Sequence, residues 1–329
     1  IFDEEPFAAG RKGLFSKVVP PLAESSEQVK VWIHPILREV IYTYLLPHEL
    51  RHLHIPMYFL LSQISVSDIL LSTSIVPKML FVVIHDSGII SFVACLTQFY
   101  FFCLFEALEC LILMVMSYDR YVAICAPLQY NSIMDHRRCI QLIVISWLLA
   151  LSFSFITPVT ISQMVFCGPD VVDYLFCDFA PLLELSCSDT KIVQIEAFLL
   201  CFPTLLIPFL IVLLSYVFIV LAIVRISSTT GRQKAFSTCS SHLTVVSIFY
   251  GSLISIYAVP PKGKSLPVSK VMSLFYTVFT PKLNPIIYTL RNKDIKESLN
   301  KLANYIFMPR KEQAHSPTHS GFRMHKSAA

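Results

Sequence analysis

Charged residues are scarce in this chain of 329 residues. Asp, Glu, Lys and Arg make up 15% of it, hydrophobic residues make up 55%, and only 8 residues are glycine. A soluble globular domain carries about 25% charged residues. The deficit argues against an ordinary water-soluble domain and favours a chain whose solvent is a lipid bilayer. The net charge of +4 gives no indication of nucleic acid binding.

Motifs of catalysis are missing from the sequence as well. It contains no Gly-rich phosphate loop, no His-Glu-x-x-His and no nucleophile elbow. We therefore predict that the protein is not an enzyme. A transporter should show paired halves with broken helices at matching positions, and no such internal repeat is visible. A small-solute transporter is therefore the less favoured alternative.

What the chain has instead is a series of long apolar runs. A helix needs about 20 apolar residues to cross a hydrocarbon core of about 30 Å. Six runs of roughly this length predict an all-α, multi-pass membrane protein. They are Met57–Ile84, Ser91–Tyr118, Ile140–Ile161, Ile195–Val224, Phe236–Val259 and Val268–Leu290.

The distribution of charge predicts how the runs are oriented. Basic residues gather in alternate loops and after the last run, and the positive-inside rule makes that side cytoplasmic. The C-terminus is then cytoplasmic. The basic residues are Arg51, Arg137, Arg138, Arg225, Arg232, Lys234, Arg291, Lys293, Lys296 and Lys301. Three lysines dissent in one opposite loop: Lys262, Lys264 and Lys270.

Four cysteines fall on the predicted outer side. Three are spaced ten apart in one acidic loop, and Cys95 lies at the mouth of the second run; the three are Cys167, Cys177 and Cys187. Thiols on the oxidising side of a membrane form disulfides. We expect two disulfides, and the spacing leaves all three pairings open.

The end of the second run carries an acid and a base side by side, Asp119 and Arg120. Such a pair either anchors the helix at the water boundary or has a function. Two further acids, Glu106 and Glu109, lie inside the same run. Because ionisable residues in a membrane helix are costly, each is a candidate functional residue.

Four motifs, in this order and spacing, resemble those of the odorant (olfactory) receptor family of rhodopsin-like G-protein-coupled receptors. The resemblance covers about Leu53 to Leu302 and implies a seven-helix bundle. The motifs are Pro56-Met-Tyr-Phe-Leu-Leu-Ser, Met116-Ser-Tyr-Asp-Arg-Tyr-Val-Ala-Ile-Cys-Ala-Pro-Leu, Lys234-Ala-Phe-Ser-Thr-Cys-Ser-Ser-His-Leu and Pro281-Lys-Leu-Asn-Pro-Ile-Ile-Tyr-Thr-Leu-Arg-Asn.

The resemblance assigns roles to particular residues. It implies a G-protein coupling switch in which Asp119 restrains Arg120 until activation; the switch residues are Asp119, Arg120, Tyr121, Asn284, Pro285 and Tyr288. It implies disulfides Cys95–Cys177 and Cys167–Cys187. It also implies a pair of membrane acids, Asp68 and Glu109, that can hold a structural sodium ion; no other cofactor is expected. Two buried acids without a cation would instead share a proton.

The resemblance further implies a ligand pocket between the outer halves of the helices. We expect it to be lined by Phe102, Phe105, Glu106, Tyr250, Leu253, Ile254, Tyr257 and Thr277. Such a lining suits a small, mostly apolar odorant, and Glu106 favours an amine or another hydrogen-bond donor. The expected partner is a stimulatory, olfactory-type heterotrimeric G protein that raises cAMP at the plasma membrane.

The start of the chain departs from the family pattern. We expect a disordered segment at 1–30, an atypical first helix at 31–50, the receptor bundle at 53–290, an amphipathic cytoplasmic helix at 291–306 and a disordered cytoplasmic tail at 307–329. Arg38 and Glu39 interrupt the first helix and make its insertion costly. Either it spans the membrane poorly, or it is missing and six spans are left. In the second case the chain is a receptor-like remnant or splice form that does not signal.

Overall fold

The computed structural model describes residues 56–85, 89–167, 172, 174–257 and 277, all within one unit, Ile1–Tyr288. Helices dominate this part of the chain. In order they are α1 (Pro56–His85), α2 (Phe92–Cys125), α3 (Tyr130–Ile133), α4 (His136–Ser162), α5 (Phe179–Glu184), α6 (Lys191–Cys201), a π-helical turn (Phe202–Leu206), α7 (Ile207–Arg225) and α8 (Thr229–Tyr257).

Four helical segments of the described part are long and apolar enough to cross a membrane: Phe59–Val82, Phe92–Cys125, His136–Ser162 and Lys191–Arg225. They coincide with four of the predicted runs. The predicted run Phe236–Val259 falls largely within α8, which forms one continuous helix but is less apolar because it carries many serines and threonines. The expected run Val268–Leu290 and the expected segments at 1–30, 31–50, 291–306 and 307–329 lie outside the described residues, Thr277 excepted.

Helix α2 is the central element. It packs most extensively against α7, α4 and α1, and most of its side chains are buried. The helix starts at Ser91, whose hydroxyl accepts a hydrogen bond of 3.2 Å from the backbone N–H of Ala94. It ends at Cys125, just before Ala126-Pro127, because a residue preceding proline disfavours helical backbone. One helix therefore links the two ends of the bundle.

The junction between α6 and α7 is widened by the π-helical turn Phe202–Leu206. Pro203 cannot donate a backbone hydrogen bond to the preceding turn, which weakens the regular helix there. Single π-helical turns are frequent at functional sites. This one packs against α2, on the helix that carries Glu106 and Glu109.

Candidate functional site

At one end of α2, Asp119 and Arg120 form a buried ion pair. Asp119 is 0% exposed and Arg120 is 6% exposed. Arg120 Nε donates to Asp119 Oδ2 at 2.9 Å, and Arg120 Nη2 donates to the same oxygen. A buried charge is tolerated when it is paired and hydrogen-bonded, so the carboxylate and the guanidinium stabilise each other. We call this end of the bundle the Arg120 end.

The second oxygen of the same carboxylate is also engaged. Tyr130 Oη, from the short helix α3, donates to Asp119 Oδ1 at 2.7 Å. Burial and the neighbouring Asp119 carboxylate raise the pKa of Tyr130, which therefore stays a hydrogen-bond donor. Tyr121, the next switch residue, is half-buried, and its ring centroid lies 6.1 Å from that of Phe218 on α7.

A second polar contact at this end joins α7 to α8. Tyr216 Oη lies 2.7 Å from His242 Nδ1 and 3.3 Å from the carbonyl oxygen of Cys239. The two rings stack with centroids 5.7 Å apart. Both side chains are buried. The contact ties α8 to α7, and a displacement of α8 away from α7 would have to break it.

The other end of α2 carries a loop fixed by two disulfides, Cys95–Cys177 and Cys167–Cys187. These are the pairs that the family resemblance implies. Gln98 adds to the first: its Nε2 donates to the carbonyl of Ser74 at 3.0 Å, and its Oε1 accepts from the N–H of Cys177 at 3.1 Å. We call residues 174–179 the lid and this end the disulfide end.

Aromatic rings of the lid lie along α2. The ring of Phe176 is 5.4 Å from that of Phe102, and Phe179 stacks on Phe99 at 6.4 Å. Asp178 lies between Phe176 and Phe179 in the sequence, and its side chain is buried. Its Oδ1 accepts a hydrogen bond of 2.7 Å from the N–H of Phe179. Burial raises the pKa of Asp178 to about 6.

Five of the expected pocket residues are buried: Phe102, Phe105, Tyr250, Leu253 and Thr277. Glu106 is partly exposed. Tyr250 stands against Phe209 of α7, with ring centroids 4.6 Å apart, and Thr277 Oγ1 lies 3.9 Å from Met79 Sδ.

Two expected pocket residues fall outside this buried group. Ile254 is 58% exposed, because it lies on the side of α8 that also exposes Ser247 and Gly251. The side chain of Tyr257 lies outside the described residues. The family resemblance led us to expect Ile254 in the pocket, but the structure does not place it among the buried side chains.

The remaining predicted residues are the two acids of the expected sodium site and three residues of the expected switch. Asp68 and Glu109 are both buried, at 3% and 2% exposure, on the packed helices α1 and α2. Among the described residues, no three His, Cys, Asp or Glu side chains come together in a way that could hold a metal ion. Asn284, Pro285 and Tyr288 lie outside the described residues.

Three residues of these sites, Tyr130, Gln98 and Asp178, were not expected from the sequence. Tyr130 follows Asp119 by eleven residues, and no helical period connects the two across the turn at Pro127. Asp178 offered a signal, since it directly follows Cys177, which was expected to be tied to α2.

This architecture matches that of a known class of membrane protein. Squid rhodopsin aligns with a TM-score of 0.68 over 91% of this chain and 91% of its own, at 16% identity. The fold is therefore the seven-helix bundle of rhodopsin.

The family follows from the sequence comparisons. A family model described as olfactory receptor matches residues 30–304. Human olfactory receptor 11L1 is 45% identical over 250 residues, 76% of this chain and 78% of the relative. Rat olfactory receptor 1468 is 44% identical over 255 residues, 78% of this chain and 81% of the relative. The chain belongs to the olfactory receptor family.

Proposed function

We propose that this chain binds a small, mostly apolar odorant near the disulfide end of the bundle and activates a stimulatory heterotrimeric G protein, raising cAMP. The observation that carries the proposal is the geometry of α2. One helix bears the lid contacts and Glu106 at one end and the Asp119–Arg120 pair at the other. A ligand that moves α2 against α7 or α8 changes the environment of Arg120.

The proposed switch works through the chemistry of the guanidinium. Arg120 cannot lose its charge, so it leaves Asp119 only when another acceptor replaces the carboxylate. In the structure that carboxylate accepts from Arg120 and Tyr130 together, which stabilises the resting arrangement. An acceptor presented by the G protein would compete for Arg120 once the helices have moved.

We also propose that the protein resides in the plasma membrane with the disulfide end outside and the C-terminus in the cytoplasm. The basic residues Arg137, Arg138, Arg225 and Arg232 flank α4 and α7 at the Arg120 end, as cytoplasmic loops do. The two disulfides lie at the opposite end, which fits an oxidising environment.

The proposed sodium site uses the buried carboxylates of Asp68 and Glu109. Carboxylate oxygens are suitable ligands for a hard cation, and the two acids lie on helices that pack against each other. Replacing sodium by N-methylglucamine should lower the melting temperature of the purified receptor. Asp68→Asn should abolish that difference; an equal melting temperature in both salts would refute the site.

The function is tested by surface labelling combined with a cAMP reporter and a panel of odorants. Surface expression with odorant-dependent cAMP supports the proposal. Retention in the endoplasmic reticulum would instead support a receptor-like remnant whose first helix is defective. Surface expression without a cAMP response to any odorant would contradict the proposed coupling.

A further inference from the structure

Glu106 lies on a side of α2 that is turned away from the most exposed ridge of the helix. The exposed side of α2 near the disulfide end is marked by Val93, Thr97 and Phe101, spaced four residues apart. Glu106 follows Phe101 by five residues, which places it about 140° around the helix from that ridge. Its neighbours Phe105 and Ala107 are buried, whereas Glu106 keeps accessible surface. That surface therefore faces the interior rather than the lipid.

A second carboxylate faces the same region from the lid. Asp178 is buried and lies within electrostatic range of Glu106 and of Cys103, which is one turn from Glu106 on α2. Its position is fixed, because the adjacent Cys177 is bonded to Cys95 and hydrogen-bonded to Gln98. The pair therefore consists of one acid on the helix and one acid on a covalently tethered lid.

Neither acid is paired with a positive charge among the described residues, where Asp119–Arg120 is the ion pair present. Lys78 is a basic residue of α1 near the disulfide end, but it does not pair with either acid. It donates to the carbonyl of Ile89 and lies over the Phe81 ring. Lys191 is exposed at the start of α6. Placing two acids inside the bundle without a counter-ion is costly, and burial accordingly raises the pKa of Asp178.

An independent observation points to a ligand in the same region. The hydroxyl of Tyr250 is buried, with the residue 5% exposed, and makes no hydrogen bond to an oxygen or nitrogen atom in the described part of the chain. Its neighbour is the Cys110 thiol, one helical turn from Glu106 on α2, and a thiol is a weak hydrogen-bond partner. A buried hydroxyl with so weak a partner costs free energy that a ligand with a polar group can recover.

We propose that the preferred ligand of this receptor carries a protonated amine, bound by Glu106 with Asp178 as the second carboxylate and Tyr250 as a hydrogen-bonding neighbour. The inference rests on the proposed function, in that it places the odorant in this pocket. An ammonium group supplies the missing positive charge and donates hydrogen bonds to both acids. Phe102 and Phe176 offer ring faces that also attract a cation.

The same arrangement discriminates against other small odorants. An alcohol of equal size supplies no positive charge to the two acids, and a carboxylic acid brings a further negative charge beside them. Repulsion of the wrong ligand contributes to specificity as much as attraction of the right one. We therefore expect amines to be preferred over alcohols, and alcohols over acids, at constant chain length.

The test measures ligand-induced stabilisation of the purified, full-length receptor. Primary alkylamines of increasing chain length are each paired with the alcohol and the carboxylic acid of the same chain, at neutral pH. Amines should raise the melting temperature at lower concentrations than their alcohol partners. Equal stabilisation by amine and alcohol, or no stabilisation by any amine, would overturn the proposal.

Glu106→Gln should weaken amine binding by about thirtyfold or more, because removing one partner of a buried charge pair is costly, and should leave alcohol binding unchanged. The matched control is Glu196→Gln. Glu196 is another acid within a membrane helix, but its Oε2 accepts from Thr160 Oγ1 at 2.8 Å. Amine binding in that variant should stay within about twofold of wild type. Unchanged amine binding in Glu106→Gln would contradict the inference.

Two further comparisons keep the outcome decisive. If Glu106→Gln shows no melting transition, Glu106→Asp and the wild-type amine and alcohol series decide instead, since Asp keeps the charge and should retain the amine preference. Glu106-dependent amine binding without a cAMP response would sustain this inference and refute the proposed coupling. A cAMP response to alcohols with no amine preference would do the reverse.

Discussion

Tyr130 Oη donates a hydrogen bond of 2.7 Å to Asp119 Oδ1, while Arg120 Nε donates to the other oxygen, Oδ2, at 2.9 Å. The short helix α3 is therefore tied to the carboxylate that holds Arg120. A change in the position of α3 weakens the restraint on Arg120 without touching the ion pair itself. Tyr130 is thus a positioning residue for the proposed switch.

Tyr130→Phe removes this hydrogen bond and keeps the ring. A hydrogen bond to a charged group contributes about 1.5–3 kcal/mol, so we expect basal cAMP production to rise by about tenfold or more. The control is Tyr118→Phe, since Tyr118 directly precedes Asp119 on α2 but is exposed. Basal activity equal to wild type in Tyr130→Phe, at matched surface expression, would show that Tyr130 does not restrain the switch.

Gln98 lies on α2 and joins it to two other elements, because its amide donates to the Ser74 carbonyl of α1 and accepts from the Cys177 N–H of the lid. Gln98→Met keeps the length of the side chain and loses both hydrogen bonds. We expect a destabilisation of about 2 kcal/mol, measured as a lower melting temperature of the purified receptor. Gln163→Met, at an exposed position, should have no comparable effect. A melting temperature unchanged by Gln98→Met would contradict its role in holding the lid.

The raised pKa of Asp178 leads us to predict that the stability of the receptor depends on pH. Its pKa is raised from 3.8 to about 6 by burial, so the folded receptor holds a proton that the unfolded chain has already lost between about pH 4 and pH 6. Stability conferred by the protonated acid is therefore lost as pH rises through this window. We expect the ligand-free receptor to melt at a higher temperature at pH 5 than at pH 7.

Asp178→Asn should flatten this dependence by up to about 1.4 kcal/mol per pH unit. Asparagine keeps an oxygen that can accept from the Phe179 N–H, so the local structure is retained. Glu184→Gln serves as the control because Glu184 is exposed on α5. Identical pH profiles for wild type and Asp178→Asn would refute the assignment. A bound amine should abolish the dependence, since its positive charge favours the carboxylate form.

The sequence was sufficient for features that depend on local pattern. Long apolar runs predicted α1, α2, α4 and α6–α7, because a segment in lipid must satisfy its backbone hydrogen bonds internally and a helix does so. The motif around Asp119 and Arg120 placed both residues at the end of α2, where the structure has them. The olfactory receptor family was also recognised from motifs alone.

Features that depend on contacts between distant segments were not predictable from the sequence. Tyr130 reaches Asp119 across a turn, and Gln98 reaches Cys177 over 79 residues. Ile254 was expected in the pocket from the family resemblance, but the rotation of α8 turns it outward. A periodic pattern gives the faces of a helix and leaves open which face meets a partner.

The central claim is that ligand binding near the lid acts on Arg120 at the opposite end of the bundle. It is tested most directly by comparing wild type and Arg120→Ala in two assays on the same preparation: ligand-induced stabilisation and odorant-triggered cAMP. The account predicts that Arg120→Ala keeps stabilisation by the ligand and loses the cAMP response. A variant that still produces odorant-dependent cAMP at wild-type levels would contradict the account.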